Sequence, residues 1–442
     1  MADTWEIVEH VRCIRGNVSE QDWVPATVTK IDYVGLCRLV IYVLSCNIPI
    51  TSKKNNDKEK PPLYIDFGQR VMADLTLPYK EPVLTQVIPK SPDRKKRQMV
   101  MCISRVFAFE KWQLLVTALE VYKLLKVDLV VAHVNSVLTP IFQLMKAYET
   151  DGILAIRPGI RFPYLKNMNY DPNTEIEYSG QLMLAHECFY EFRESAEFIA
   201  LLDWDDLLIT TQYTSLGKAF HEAALHFPQA PYFLVNKLET TFMEQDKEPT
   251  RFSIRRLVEQ GILTKFAYNN EKMVVRPKNI VAFWVHFTRS MPYDVKPKSV
   301  TLSNDYSIIL HLARKSKKGG RDGYSHKYLS QLNLTALEEN TYELFRRPAM
   351  RELIKSLPNA THYFDAISDC SRYMNALPTF AGGNSPCLSY TMCTFPKLSV
   401  RCVVADGEYR TKVVMPTTIY SIHTRIRSGF KERLNGCFDA NE

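Results

Sequence analysis

From Met99 onward the spacing of apolar residues changes in a regular way. "MVMCISRV" is an apolar run of strand length. "EKWQLLVTALEVYKLL" then places Trp112, Leu115, Val116, Leu119 and Tyr122 three and four residues apart, on one face of a helix. "VDLVVAHV" reads as a buried strand. "TPIFQLMKAYET" opens on Thr139 and Pro140, a cap and first-turn pair that starts a helix. Asp151-Gly152 makes a turn before the strand "ILAIRP". "GQLMLAHECFYEFRE" sets Leu182, Ala185, Phe189 and Phe192 on one side of a helix. "EFIALLDWDD" is the next strand, "TSLGKAFHEAALHF" a helix and "APYFLVNKL" a strand. This alternation predicts an α/β layer with a mostly parallel central sheet. Ligands of such sheets sit beyond the carboxyl ends of the strands. Arg105 closes the first strand and Asp203, Trp204, Asp205 and Asp206 close the fourth, so both are expected to face one crevice.

The flanks differ. Residues 1–95 are strand-rich and irregular, and "VIPKSPDRKKRQ" marks a boundary before the α/β unit of residues 96–330. Residues 331–442 read as a C-terminal extension, helical first and then stranded. "VGLCRLVIYVLSCNIPI" carries Arg38 near its middle and is short for a membrane span, so a buried strand over "LCRLVIYVL" is expected instead. The opening "MADTWEIVEH" is acidic and polar, unlike a signal peptide. No transmembrane helix is expected.

Composition is that of a globular chain: 46% hydrophobic and 24% charged over 442 residues. The net charge of +8 fits an anionic substrate without calling for nucleic acid. The basic runs "TSKKNNDKEK", "SPDRKKRQ" and "RKSKKGGRDG" read as loops. None of the ten cysteines is spaced C-x-x-C, which argues against a zinc ribbon; disulfides and buried thiols both remain open. Sequons stand at Asn17, Asn333 and Asn359.

The chemistry concentrates in "LLDWDD". The D-x-D spacing of Asp203 and Asp205 suits a hard divalent cation, manganese or magnesium, of the kind that bridges a nucleotide diphosphate. A P-loop and a G-x-G-x-x-G turn are both absent, as are G-x-S-x-G and H-E-x-x-H. His286 in "IVAFWVHF" and His311 in "YSIILHLARKSKK" lie in apolar runs. Arg314 and three lysines follow His311, an arrangement that suits a metal-bound diphosphate.

"MVMCISRVFAFEKWQLLVTALEVYKLLKVDLVVAHVNSVLTPIFQLMKAYETDGILAIRPGIRFP", "EFIALLDWDDLLI", "YFLVNKLETTF" and "RPKNIVAFWVHF", in that order, resemble glycosyltransferase family 92, above all its nematode-type members. The resemblance covers about residues 96–325. It implies a GT-A fold binding a UDP-sugar and manganese, and galactose transfer to a glycan or glycoprotein acceptor with inversion. Carried onto this chain, Asp205 is the first metal ligand and Asp203 leans toward the ribose. His311 resembles the C-terminal metal-binding histidine, with His286 as the alternative. Arg314 is expected near the diphosphate and Arg105 at the nucleotide edge. Trp204 either packs on the nucleotide or wedges between strands. Glu239, at the end of "VNKLE", is the expected general base. Asp206 is its rival, where many members carry Glu. The family implies a Golgi-lumenal, membrane-anchored protein, and no anchor is read in this sequence. The competing reading is an inactive glycan-binding protein of the same fold.

Overall fold

The computed structural model describes residues 11–16, 23–31, 37, 39–48, 62–66, 84–163, 170–242, 249–259, 262–266, 271–284, 286–290, 299–314, 329, 332–376, 387, 389, 393–413 and 421–438. The N-terminal part consists of short strands: β1 (Arg12–Arg15), β2 (Val24–Pro25), β3 (Thr27–Lys30), β4 (Tyr42–Ser45), β5 (Leu63–Asp66) and β6 (Leu84–Val87). Four of them form an antiparallel sheet in the order β2-β1-β5-β6, and β3 pairs with β4. Of the strand expected over residues 36–44, only Tyr42 to Leu44 fall in β4; residues 36 and 38 lie outside the described set.

The α/β unit runs β7 (Arg97–Val106), α1 (Trp112–Leu124), β8 (Leu129–Val134), β9 (Ser136–Leu138), α2 (Thr139–Thr150), β10 (Leu154–Pro158), α3 (Gln181–Phe192), β11 (Ala196–Leu202), β12 (Asp206–Thr210), α4 (Leu216–His226), β13 (Tyr232–Val235) and β14 (Lys237–Phe242). It continues through α5 (Ile254–Glu259), β15 (Ile262–Phe266), β16 (Lys272–Val275), β17 (Ala282–Phe283), β18 (Thr288–Ser290), β19 (Val300–Thr301) and β20 (Ser307–Arg314). The main sheet has the order β10-β8-β7-β11-β16-β13-β19. β10, β8, β7 and β11 are parallel neighbours, and β16 runs against both β11 and β13. The expected mostly parallel α/β sheet, GT-A-like, is therefore present.

Burial of both faces explains the apolar runs. On β7, Met99, Met101 and Ile103 belong to the core cluster that includes the buried faces of α1, α2 and α4, while Val100 and Cys102 belong to the one that includes α3. A strand covered on both sides has no polar face to alternate with.

A second sheet, ordered β12-β20-β14-β15, stands against the first. β11 ends at Leu202 and β12 begins at Asp206, so the Asp203–Asp206 turn carries the chain from one sheet into the other. Helices α6 (Leu334–Arg346), α7 (Pro348–Lys355) and α8 (Tyr363–Ala376) follow, then the hairpin β21 (Cys402–Val413) and β22 (Ser421–Arg433). These C-terminal elements join the α/β unit: Cys402 and Val403 of β21 pair with Leu138 and Val137 of β9. No helix of the described residues is long and apolar enough to cross a membrane.

All ten cysteines are paired: Cys13–Cys46, Cys37–Cys387, Cys102–Cys188, Cys370–Cys393 and Cys402–Cys437. Cys102–Cys188 ties β7 to α3, and Cys37–Cys387 ties the two flanks together. Denatured protein without reductant should therefore show no free thiol by colorimetric titration. Replacing both Cys102 and Cys188 with alanine should cost about 2–5 kcal/mol in denaturant unfolding.

Candidate active site

The site begins with a buried charge. Asp206 opens β12, is 1% exposed and sits between two lysines. Lys272 Nζ of β16 lies 3.0 Å from Oδ2. Lys237 Nζ of β14 lies 3.1 Å from Oδ1, within ion-pair range but off the hydrogen-bonding direction. Lys272 also reaches Asp203 Oδ2 at 2.6 Å. Burial alone would lower the Lys272 pKa; Asp203 and Asp206 outweigh it and hold the ammonium charged. Burial likewise pushes the Asp203 carboxyl up, and Lys272 overcomes this and leaves it below the usual range.

A strained turn supplies the next partners. Tyr178 and Ser179 adopt left-handed backbone angles, φ 44° and 54°, just before α3. This turn presents the Tyr178 carbonyl to Arg105 Nη1 at 3.0 Å, and Gln181 donates to Asp203 Oδ1 at 3.1 Å. Both Asp203 oxygens are thus held from within the chain.

The third layer is a line of side chains across the second sheet. His311 of β20 is in register with Asp206 of β12 on one side and Glu239 of β14 on the other. Its Nδ1 lies 2.7 Å from Glu239 Oε2, and its Nε2 lies 3.3 Å from Asp205 Oδ2. Burial would lower the His311 pKa, but hydrogen bonds to Asp205 and Glu239 raise it to about 10. The Asp205 carboxyl, pushed up by burial, is brought below its usual value by His311. One ligand atom each from Asp205, Asp206 and His311 come within 4.8 Å of one another.

Of the four expected metal ligands, the structure brings Asp205 and His311 together. Asp203 is engaged by Lys272 and Gln181. His286 lies outside the group, its Nδ1 2.6 Å from the Glu271 carbonyl. Asp206, expected as a rival base, is sealed between ammonium groups. Trp204 is 5% exposed and packs in the core, 6.3 Å from the Phe109 ring. Arg314 ends β20, and its side chain lies outside the described residues. Gln181, Lys237 and Lys272 were not singled out from sequence. The available signal was a lone lysine beside an apolar run in "FLVNKL" and in "KMVV".

Replacing Lys272 with methionine leaves the buried Asp206 and the partly exposed Asp203 short of a counter-charge. The unfolding free energy should fall by about 3–5 kcal/mol in denaturant titration. The double variant K272M/D206N should recover part of that loss.

The model of glycosyltransferase family 92 matches residues 97–349. Two Caenorhabditis elegans family 92 proteins are 26% and 24% identical to this chain. They cover 75% and 77% of it, and the matches take in 67% and 69% of their own lengths. A solved UDP-glucose pyrophosphorylase bound to UDP-glucose overlaps 56% of this chain and 99% of its own at 11% identity and a TM-score of 0.20, too loose an overlap to define a fold. With a family match across more than half its length, this chain belongs to glycosyltransferase family 92.

Proposed function

We propose that this glycosyltransferase moves galactose from UDP-galactose to a hydroxyl of a glycan or glycoprotein acceptor, with inversion and with manganese as cofactor. The observation that carries the proposal is the convergence of Asp205 and His311. A carboxylate oxygen and an imidazole nitrogen face each other, and the far side of the imidazole is fixed by Glu239.

The donor set fits the metal. Mixed oxygen and nitrogen ligands suit manganese, whereas magnesium favours oxygen alone. Asp205 and His311 Nε2 would hold the ion. Asp206 reaches the same group but is already neutralised by Lys237 and Lys272, so it anchors the turn. When bound, the ion would screen the charge of a diphosphate leaving group. Asp203 keeps acceptor positions on both oxygens for a ribose hydroxyl, beyond those used by Gln181 and Lys272. A cavity of about 280 Å³, lined by Asn135, Ile160, Arg161, Phe162 and by Ser179 of the turn that precedes Gln181, has the size and mixed lining for a nucleoside. Gly159 keeps Asn135 in place there, because a β-carbon at 159 would meet its side-chain oxygen at 2.5 Å.

Glu239 has two candidate roles. Its bond to His311 Nδ1 is that of a carboxylate orienting a metal-bound histidine. That role is favoured here over proton abstraction from the acceptor. Five disulfides fit an oxidising compartment and so support the Golgi lumen.

Calorimetry with UDP and manganese tests the core of the reading. Asp205→Asn should reduce manganese-dependent UDP binding at least tenfold; undiminished binding removes Asp205 as a ligand. No UDP binding with manganese present, beside glycan binding that EDTA leaves unchanged, would favour the inactive glycan-binding role. Glu239→Gln should weaken manganese about 10- to 100-fold. A fall in kcat at unchanged manganese affinity would instead make Glu239 the base. Below pH 10 the metal-free His311 carries a proton that a ligand must lose. Manganese affinity should therefore rise with pH from 6 to 8, by about tenfold per unit, with close to one proton released per ion.

A further inference from the structure

Two sequons lie on the C-terminal helical layer, and the function proposed above uses neither. Asn333-Leu334-Thr335 opens α6, and Asn359-Ala360-Thr361 lies in the loop between α7 and α8. Neither has proline in its middle position, so both are complete acceptor sequences for an N-linked glycan. The third sequon, at Asn17, falls outside the described residues.

Sequons arise often by chance, so their surroundings decide. The loop of residues 356–362 is pinned on both sides of Asn359. Before it, Leu357 is buried and the Pro358 carbonyl accepts from Trp112 Nε1 at 3.0 Å. After it, Tyr363 is buried and the Phe364 amide donates to Glu110 Oε2 at 2.9 Å. Asn359 itself is exposed, and its side chain has no hydrogen-bond partner among the described residues. The anchors hold the loop without it, and its amide is open to solvent chemistry.

Asn333 has a structural task as well. It is exposed and caps α6, its Oδ1 accepting from the Ala336 amide at 3.0 Å. Leu332 and Leu337 occupy the two hydrophobic-staple positions around this cap, and both are buried. The cap uses the side-chain oxygen, whereas a glycan is joined through the nitrogen. Modification at Nδ2 therefore leaves Oδ1 in place as the cap. Both asparagines can carry a bulky, hydrated substituent without moving a packed residue. The redox state is an independent observation. Five disulfides fit an oxidising compartment, and asparagine glycans are added in such a compartment.

We propose that Asn333 and Asn359 carry N-linked glycans, acquired as the chain enters the lumen of the secretory pathway. The donor is an oligosaccharide joined to a lipid diphosphate. The bond between its anomeric carbon and the diphosphate oxygen breaks, and a bond from that carbon to asparagine Nδ2 forms. The amide gives up one proton, and the lipid diphosphate is the leaving group. The inference rests on the lumenal part of the reading above and not on the catalytic part, since Asp205, Glu239 and His311 take no part in it.

Translation of the full chain with endoplasmic-reticulum microsomes, behind a cleavable signal peptide, tests it. The signal peptide delivers the chain whatever its own address, so a failure here counts against the two sites and not against the Golgi reading. Protease-protected chains should carry glycans that peptide N-glycosidase removes, and peptide mass spectra should then show deamidation at both positions. Thr335→Ala and Thr361→Ala should each abolish one glycan-sized mass step, and the double variant should abolish both. Thr335→Ala destroys the acceptor sequence and keeps the Asn333 cap, so its effect is separate from loss of the helix start. Protected chains with Asn333 and Asn359 unmodified overturn the proposal. A step lost in only one of the two variants overturns it for the other site. A glycan that survives the double variant, with both asparagines unmodified in the parent, overturns it in favour of Asn17.

Discussion

Asp206 carries a charge in a place that water barely reaches, and two ammonium groups from other strands make that tolerable. An isolated buried carboxylate costs several kcal/mol, which its partners must offset. The partners come from both sheets: Lys237 from β14 of the small sheet and Lys272 from β16 of the large one. Lys272 then holds Asp203 at the end of β11. One ionic chain therefore fixes where the two sheets meet, and the turn between Asp203 and Asp206 has one arrangement in which every charge is matched. Asp205, between them in sequence, is left pointing at His311.

His311 completes the balance from the other side. Without a metal its ring is held protonated between Asp205 and Glu239, standing in for a cation in an otherwise acidic group. On the proposed reading a divalent ion would have to displace that proton, which would couple metal affinity to pH. The strained Tyr178–Ser179 turn plays a matching part beside Asp203, because its conformation brings Gln181 to Asp203 and a carbonyl to Arg105. Disulfides hold the outer layers: Cys102–Cys188 fixes α3 behind β7, and so fixes the helix whose first residue is Gln181.

Much of this was legible along the chain. The two-sided apolar runs of β7, β8 and β11 and the helical spacing of α1 and α3 specify a parallel α/β layer, because local period and burial are properties of neighbouring residues. The D-x-D spacing after "FIALL" marks a carboxylate cluster at a strand end for the same reason. Asp205 and His311 were expected as ligands from the family resemblance, and the structure brings their side chains to 3.3 Å. Cysteine pairing was not legible: ten cysteines without a short spacing motif leave the partners to long-range folding, and Cys37 and Cys387 are 350 residues apart.

What the sequence by itself determined is the type of each element and the presence of a carboxylate cluster at a strand end. What only the tertiary structure decided is the division of labour among those carboxylates. Asp203, Asp205 and Asp206 are chemically alike and adjacent. They become a lysine-clamped group, a histidine-facing carboxylate and a sealed anchor because Lys237, Lys272, Glu239 and His311 arrive from other strands. Their charges interact through space at about 3 Å, a distance that no spacing along the chain encodes.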